Sequence, residues 1–509
     1  MRFDCLNWHP ERRFLKALEL FTQHDTPNLD RFSDQCVRFT RCLSPAGYTA
    51  LSVPSTLTGT YARTHGVVDF TSTCLRDHVQ TLCSLLRSGG YRIVLHSAKS
   101  SIVTDLGLFA DADLTLTSDA ELIRLLRTEP GVPTLVYSHF NDLHAPYVWL
   151  ESGTPAEKAA GYDVYLRLTY NARRADPGED PPFHFVLPSG RRVSLYELRD
   201  QPPGGNAQAL LGHLRRQLNA YYCGLEKFDR LRFGPLLREL SRLEQWRRGI
   251  VVFYADHGEA QRPFAQWSID HGATGEENLV RTPLMIRAPG LRPRQVNDLV
   301  GLIDLTPTVL ELVGLGTALD EVGYEVAGRS LVPVLRGGRH GAQWYWIEGW
   351  HFAETSLSNP PCVKYRALRY ADGRKYILFG DLIRREEYEA LDEPEFATYA
   401  ATHTYGTRPT RWFRQRIATL RQTHDRAAII AMLRREVRQF RICDNVDQDL
   451  LEEHSQAVEP DSQRWPEYQV QLEKMLRLTA RPNLRPSDSA DEVTRARVDQ
   501  RLRALGYIA

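Results

Sequence analysis

The 8 cysteines (Cys5, Cys36, Cys42, Cys74, Cys83, Cys223, Cys362, Cys443) are scattered and none forms a Cys-X-X-Cys pair, which argues against zinc knuckles and redox dithiols. Lysine is scarce, with 7 residues against 57 arginines, and 63 acidic residues offset this total of 64 to leave a net charge of +1. That balance gives no footprint for a nucleic acid or an acidic membrane surface. No apolar run reaches the roughly 18 residues that a membrane-spanning helix needs. HExxH, a Walker A loop, a GxSxG elbow and a Rossmann glycine fingerprint are all absent, which weighs against zinc proteases, P-loop NTPases, α/β-hydrolases and dinucleotide enzymes. The opening MRFDCLNWHPERRF holds no apolar signal-peptide core; with the scattered cysteines it predicts a reduced, cytoplasmic setting.

What is present suits a globular protein. The 509 residues, 42% hydrophobic and 25% charged, suffice for a large core or two unequal domains. YRIVLH (91–96), TLVYSHF (134–140) and IVVFY (250–254) are near-continuous apolar runs of the kind that form buried parallel strands. Helix-period stretches lie between them, at 78–87 and 210–240. The alternation predicts an α/β fold, a mostly parallel central sheet with helices on both faces, and ligands in such folds sit at the carboxyl ends of the strands. Residues 151–209 read as a surface insertion with one hairpin, FHFVL to RRVSLYEL. WYWIEGW, VKYRALRY and RKYILF within 344–379 predict a small antiparallel sheet, and the charged stretch 384–480 reads as mostly helical.

Four segments carry chemistry. In IVVFYADHGE (250–259) a buried strand delivers Asp256 and His257 side by side, and a carboxylate and an imidazole there can share one metal ion. Thr49 to Gly59 opens a helix with small hydroxyl residues, Pro54 being tolerated near its start; a threonine hydroxyl at such an end, bound to a divalent metal, can attack phosphorus or sulfur. HFNDLHAPY (139–147) puts His144 just past a strand, where it can donate to a leaving group or a substrate anion. His271, in Asp270-His271-Gly272, likewise precedes an apolar run, RTPLMIRAPG.

In chain order these motifs resemble the sulfatase branch of the alkaline phosphatase superfamily. TPNLDRF (26–32) with VRFT (37–40), the stretch 49–66 ending LTGTYARTHG, LCSLLRSGGYR (82–92), HAPY, ADHGE, RTPLMIRAPG, LIDLTPTVLELVGL (302–315), GRSLVPVL (328–335) and LRALGYIA (502–509) all have counterparts there. The resemblance spans the chain except 151–209 and roughly 380–490. It implies a sulfatase-like catalytic α/β domain over 1–338, containing the 151–209 insertion, and a C-terminal subdomain over 339–509. It places Thr49 on the nucleophile, Asp256, His257 and Thr49 on one or two divalent metal ions (calcium, magnesium, manganese or zinc), and His144 and His271 on the substrate oxyanion or leaving group. Ser52, one helical turn on, is the fallback nucleophile and a substrate contact, as is Lys99.

Two departures matter. Sulfatases proper convert a cysteine or serine in CxPxR or SxPxR to formylglycine. Here that position is Thr49, which cannot be so converted, and the arginine position is Val53. Family members with threonine there work through a phospho-threonine, so phosphate or phosphonate esters are expected at least as readily as sulfates. The alternatives are a transferase on the same fold, or a non-catalytic protein with a decayed metal site. The expected substrate is a small-molecule, lipid or sugar ester, with no nucleic-acid partner, no membrane span and room for a homo-oligomer. Secondly, the family opens with a buried strand ending in metal-binding aspartate, whereas Met1-Arg2-Phe3-Asp4-Cys5-Leu6 matches only the tail of that segment. A native start upstream, supplying the strand, is expected.

Overall fold

A computed structural model describes residues 2–3, 25–70, 73–97, 106–109, 112–144, 184–186, 192–194, 221–222, 224–259, 271, 275–350, 363–379, 439–449, 452, 455–458 and 463–479. The large sheet is built from β1 (Arg2–Phe3), β2 (Val37–Leu43), β3 (Arg92–Ser97), β4 (Leu114–Leu116), β5 (Thr134–Phe140), β8 (Val251–Ala255), β9 (Arg281–Arg287), β10 (Arg294–Val296) and β11 (Val300–Gly301). Its order is β10-β2-β9-β8-β1-β5-β3-β4, with β11 also on β2. Every pairing is parallel except those of β9 with β2 and β8. The runs read as buried strands at 91–96, 134–140 and 250–254 are thus β3, β5 and β8. The predicted hairpin is there as β6 (His184–Val186) against β7 (Arg192–Ser194).

The slot between β5 and β8 is filled at its carboxyl end by the two residues of β1, Arg2 opposite His139 and Tyr254, and Phe3 opposite Phe140 and Ala255.

Helices α1 (Pro27–Ser33), α2 (Thr49–Thr58), α3 (Leu82–Ser88), α4 (Asp119–Thr128), α5 (Gly234–Ser241) and α6 (Leu305–Leu312) cover both faces. On one, Ala50, Leu51, Val53 and Leu57 of α2 and Leu82, Leu85 and Leu86 of α3 pack on Ile93 and Leu95. On the other, Leu29, Phe32, Leu122, Phe233 and Leu236 pack on Phe140, Phe253 and Ala255. Local signals explain the starts of α3 and α4. Thr81 and Ser84, and Ser118 and Glu121, form reciprocal capping boxes, so α3 begins at Leu82 rather than at 78. The stretch 224–241 is helical as its period predicts, but Phe228–Phe233 is a π-helix, one residue per turn too many for an α-helix.

Helix α2 is buried along its whole length. Pro54 falls in its middle, not near its start; Thr56 and Thr58 hydroxyls donate back to the Ser52 and Pro54 carbonyls, each at 2.8 Å. Gly59 ends the helix at φ +66°, a left-handed conformation that favours glycine. Beyond it, His65 is wholly buried. Its Nδ1 accepts from the Val67 amide at 3.1 Å, which leaves Nε2–H to donate to Ser55 Oγ at 2.8 Å. Burial, reinforced by the Arg76 charge, pushes this imidazole down to about 3. A histidine that stays neutral in the fold contributes stability that is complete above the unfolded value near 6.5. It is lost as pH falls from there towards 3, at about 1.4 kcal/mol per pH unit. His65→Gln is therefore expected to flatten stability between pH 6.5 and 4, a difference of roughly 3 kcal/mol in denaturant titrations. An unchanged pH slope would place the proton uptake elsewhere.

The second sheet is antiparallel, in the order β12 (Trp344–Trp350), β13 (Val363–Tyr370), β14 (Lys375–Phe379), β15 (Gln439–Cys443) and β16 (Gln456–Ala457). Trp346, Tyr365, Leu368 and Ile377 form its core with Tyr468 and Met475 of α7 (Trp465–Leu478). Its first three strands are the predicted ones. Strands β15 and β16 fall in the stretch read as helical; the alternation of Gln439, Phe440, Arg441 and Ile442 is a strand pattern, but it is too short to outweigh the surrounding charge. Among the described residues no helix is long and apolar enough to cross a membrane.

Candidate active site

Strand β8 ends at Ala255, so Asp256 and His257 emerge at the carboxyl edge of the sheet, and both are wholly buried. Thr49 is the first residue of α2 and follows an extended Tyr48. The fold brings these three residues together across more than 200 positions of sequence. Thr49 Oγ1 donates to Asp256 Oδ2 at 2.8 Å and lies 3.2 Å from His257 Nε2, which is 3.5 Å from the same Asp256 oxygen.

The histidine's tautomer follows from its other nitrogen. His257 Nδ1 is 2.7 Å from the Gly258 carbonyl, and a carbonyl only accepts, so Nδ1 carries the proton. In the neutral ring the Nε2 lone pair then faces a carboxylate oxygen and a hydroxyl oxygen. Such an arrangement is repulsive unless a proton or a metal ion sits on Nε2, and a histidine oriented through its second nitrogen is the usual form of a metal ligand. The three donor atoms also have suitable spacing. Their separations of 2.8, 3.2 and 3.5 Å bracket the edge of an octahedron, roughly 3.0–3.4 Å, for bonds of about 2.1–2.4 Å. Among the described residues no group of three or more His, Cys, Asp or Glu side chains converges as a complete metal cage.

His271 and His144 continue the row. The His271 ring centroid is 4.7 Å from that of His257 and 5.0 Å from that of His144. Both rings are buried. Glu259 Oε1 lies 3.2 Å from His271 Nδ1; the carboxylate accepts, so it fixes the proton on that nitrogen and turns Nε2 away from itself. Within ADHGE, Glu259 carries no local mark of this role beyond its position three residues after Asp256.

Ser52 lies one turn below the cluster with a different task. Its hydroxyl donates to the Asp256 carbonyl at 2.6 Å, and Ser44 Oγ stands 2.9 Å from it. Ser52 thus ties the strand end to α2, and its proton points at main chain. Lys99 lies outside the described residues, as do Asp270 and Gly272.

Two outer groups support the edge. Arg232, presented by the π-helix, pairs with Asp142 at 2.9 Å and Asp119 at 3.4 Å, with its guanidinium 4.5 Å above the Phe140 ring. Burial raises the Asp142 carboxyl, with Arg232 opposing. Burial would also raise Asp119, but the hydrogen bond to His96 and the Arg232 charge hold it below the usual range. Asp142 sits in the turn closed by the His144 amide on the Asn141 carbonyl. On the other side the second sheet reaches the loop before Thr49. The Gly47 amide donates to Tyr365 OH at 3.0 Å, the Glu348 amide to the Pro45 carbonyl at 3.0 Å, and the Trp350 amide to Tyr48 OH at 3.2 Å.

A mostly parallel sheet sandwiched by helices, with a second antiparallel sheet packed beside its carboxyl edge, defines an alkaline phosphatase-like fold. The family model described as Sulfatase matches residues 16–315, more than half of the chain. The chain belongs to the sulfatase family. Endo-4-O-sulfatase of Bacteroides thetaiotaomicron is 33% identical over 116 residues, 23% of this chain and 22% of the relative. Choline-sulfatase of Rhizobium meliloti is 30% identical over 125 residues, 25% and 23% of the two chains. The matched segments thus span less than a quarter of these relatives' length. Among solved structures, the phosphonate monoester hydrolase of Silicibacter pomeroyi aligns with a TM-score of 0.50 at 18% identity, over 84% of this chain and 94% of the other. A protein solved with its substrate D-glucosamine-2-N,6-O-disulfate also aligns with a TM-score of 0.50, at 16% identity, over 85% and 96%. At those identities the structural likeness concerns the fold.

Proposed function

We propose that the protein is a metal-dependent ester hydrolase acting on phosphate, phosphonate or sulfate esters, with Thr49 as its nucleophile. The observation that carries this is the Thr49 hydroxyl donating to Asp256 Oδ2 at 2.8 Å while facing His257 Nε2 at 3.2 Å. A threonine hydroxyl is a poor nucleophile until its proton is taken, and this one already leans on a carboxylate. Sulfatase names among the relatives and a phosphonate monoester hydrolase among the structural neighbours support the ester class.

Asp256 and His257 would hold the divalent ion with Thr49, and further donors would complete the set. When bound, the ion supplies a Lewis acid that lowers the proton affinity of the Thr49 hydroxyl and offsets the charge of the ester oxygens. Asp256 receives the Thr49 proton. Thr49 Oγ1 bonds to phosphorus or sulfur as the bond to the leaving oxygen breaks. His271, its Nδ1–H held by Glu259 and its ring doubly protonated at this step, gives its Nε2 proton to the departing alkoxide, with His144 lining the same edge. Water then attacks the phosphorus or sulfur and passes a proton to the now neutral His271, and the bond to Thr49 Oγ1 breaks as Asp256 returns its proton to that oxygen. Ser52 anchors the Asp256 main chain.

The test is a screen of aryl phosphate, phosphodiester, phosphonate and sulfate esters with calcium, magnesium, manganese or zinc. One ester class should turn over with a burst of one equivalent of phenol and a transient adduct on the 49-containing peptide. Turnover with no adduct would replace the covalent route by direct attack of water, and the absence of turnover with every pair would remove the hydrolase reading.

A further inference from the structure

Among the described residues Glu452 is the one non-glycine with a positive φ, 55°. A backbone held there is strained for a residue with a side chain and persists where its surroundings over-determine it. Those surroundings are polar and buried. The Glu452 carboxylate accepts from Lys375 Nζ at 2.7 Å and from the Glu277 amide at 2.8 Å. Lys375 also donates to the Gly275 carbonyl at 2.6 Å. The Glu277 carboxylate stands 3.6 Å from Lys375 and 3.3 Å from Arg369. Lys375 and Arg369 are wholly buried, so their charges were taken out of water at a cost that an apolar pair would not incur. A strained backbone spent on a buried ion pair needs a reason beyond stability.

The reason lies in what the pair touches. Lys375 opens β14 and Glu452 lies between β15 and β16, yet both grip the short segment Gly275–Val280 beside the other sheet. That segment is one hydrogen bond from each half of the candidate site. The Leu279 carbonyl accepts from the Gly258 amide at 2.7 Å, and the Val280 carbonyl accepts from the Ser44 amide at 2.7 Å. Gly258 directly follows His257. Ser44 Oγ meets Ser52 Oγ, which holds the Asp256 carbonyl.

We propose that Glu452 and Lys375 are positioning residues: a charged brace from the second sheet fixes the Glu277–Val280 turn, and through it the spacing of Thr49 from Asp256 and His257. The catalytic part of this rests on the hydrolase reading above; the mechanical part does not. Two variants of the full chain test it, Glu452→Gln alone and Glu452→Gln with Lys375→Met, the second leaving neither member of the pair charged. Amide hydrogen exchange should quicken about tenfold or more in the peptides containing Ser44 and Gly258 in both variants, while β3 and β5 exchange as in the parent. On whichever ester the parent turns over, kcat should fall about tenfold to a hundredfold with KM within twofold, as expected when reacting groups are misplaced rather than removed. Parent-like exchange at Ser44 and Gly258 in the double variant, or exchange quickened evenly across the central sheet, overturns the brace. A parent inactive on every ester sinks the hydrolase reading instead and leaves the exchange result to decide the brace.

Discussion

Thr49→Ala is expected to lower turnover by at least about a thousandfold, while metal content is retained and the melting temperature moves by only a few degrees. The asymmetry follows from what the hydroxyl touches. Its hydrogen bond ends on Asp256 Oδ2, and Asp256 is held independently, through its carbonyl, by Ser52. Removing the hydroxyl therefore leaves the strand end in place, and a single buried hydrogen bond is worth about 1 kcal/mol. The chemistry has no such reserve. The Ser52 proton faces the Asp256 carbonyl, so this hydroxyl is turned away from the cluster. Thr49→Ser keeps the oxygen and should retain a measurable fraction of activity. Single-turnover kinetics with mass analysis of the 49-containing peptide reads both variants. Thr49→Ala within tenfold of the parent would make water the nucleophile.

Removing the cation, or its anionic ligand, should have an effect of similar size. Chelation should stop turnover, and one divalent ion should restore it. Asp256→Asn keeps the shape of the side chain and removes its charge. It should raise the metal concentration needed for half-maximal activity by about a hundredfold or more and lower saturated turnover by a further hundredfold or so. The same oxygen, Asp256 Oδ2, faces both Thr49 Oγ1 and His257 Nε2, so the two roles are not separable. Asp256→Asn combined with Thr49→Ala should be scarcely worse than either alone, because residues that act as a unit do not add. Full additivity would mean that Asp256 and Thr49 serve different steps, and undiminished activity in excess chelator would remove the metal from the reaction.

The parts of this protein legible in its sequence are those with short-range causes. Continuous apolar runs marked β3, β5 and β8 because both faces of a central strand are buried. Asp256 and His257 could be singled out because they stand where such a strand ends. Thr49 was legible as the opening of a hydroxyl-rich helix, but nothing local says that it meets Asp256, 207 residues away. Glu259 and Ser44 took no role for the same reason; each acts on a partner fixed by tertiary packing. The π-helix leaves no mark in the hydrophobic period, since 224–241 reads as one helix. Lys375 stands as a cation at the head of the apolar run KYILF, and nothing local says that Glu452 and the Gly275 carbonyl enclose it.

The contacts of the second sheet with the loop before Thr49 have a consequence for the order in which the protein is made. All seven site candidates have been added to the chain by residue 271. The strands against which residues 45–48 rest arrive only with Glu348, Trp350 and Tyr365. A nascent chain halted between those points would carry these seven side chains and lack the second-sheet partners of the nucleophile loop. Premature termination or clipping between those points is therefore expected to lower turnover while leaving all seven side chains in the product.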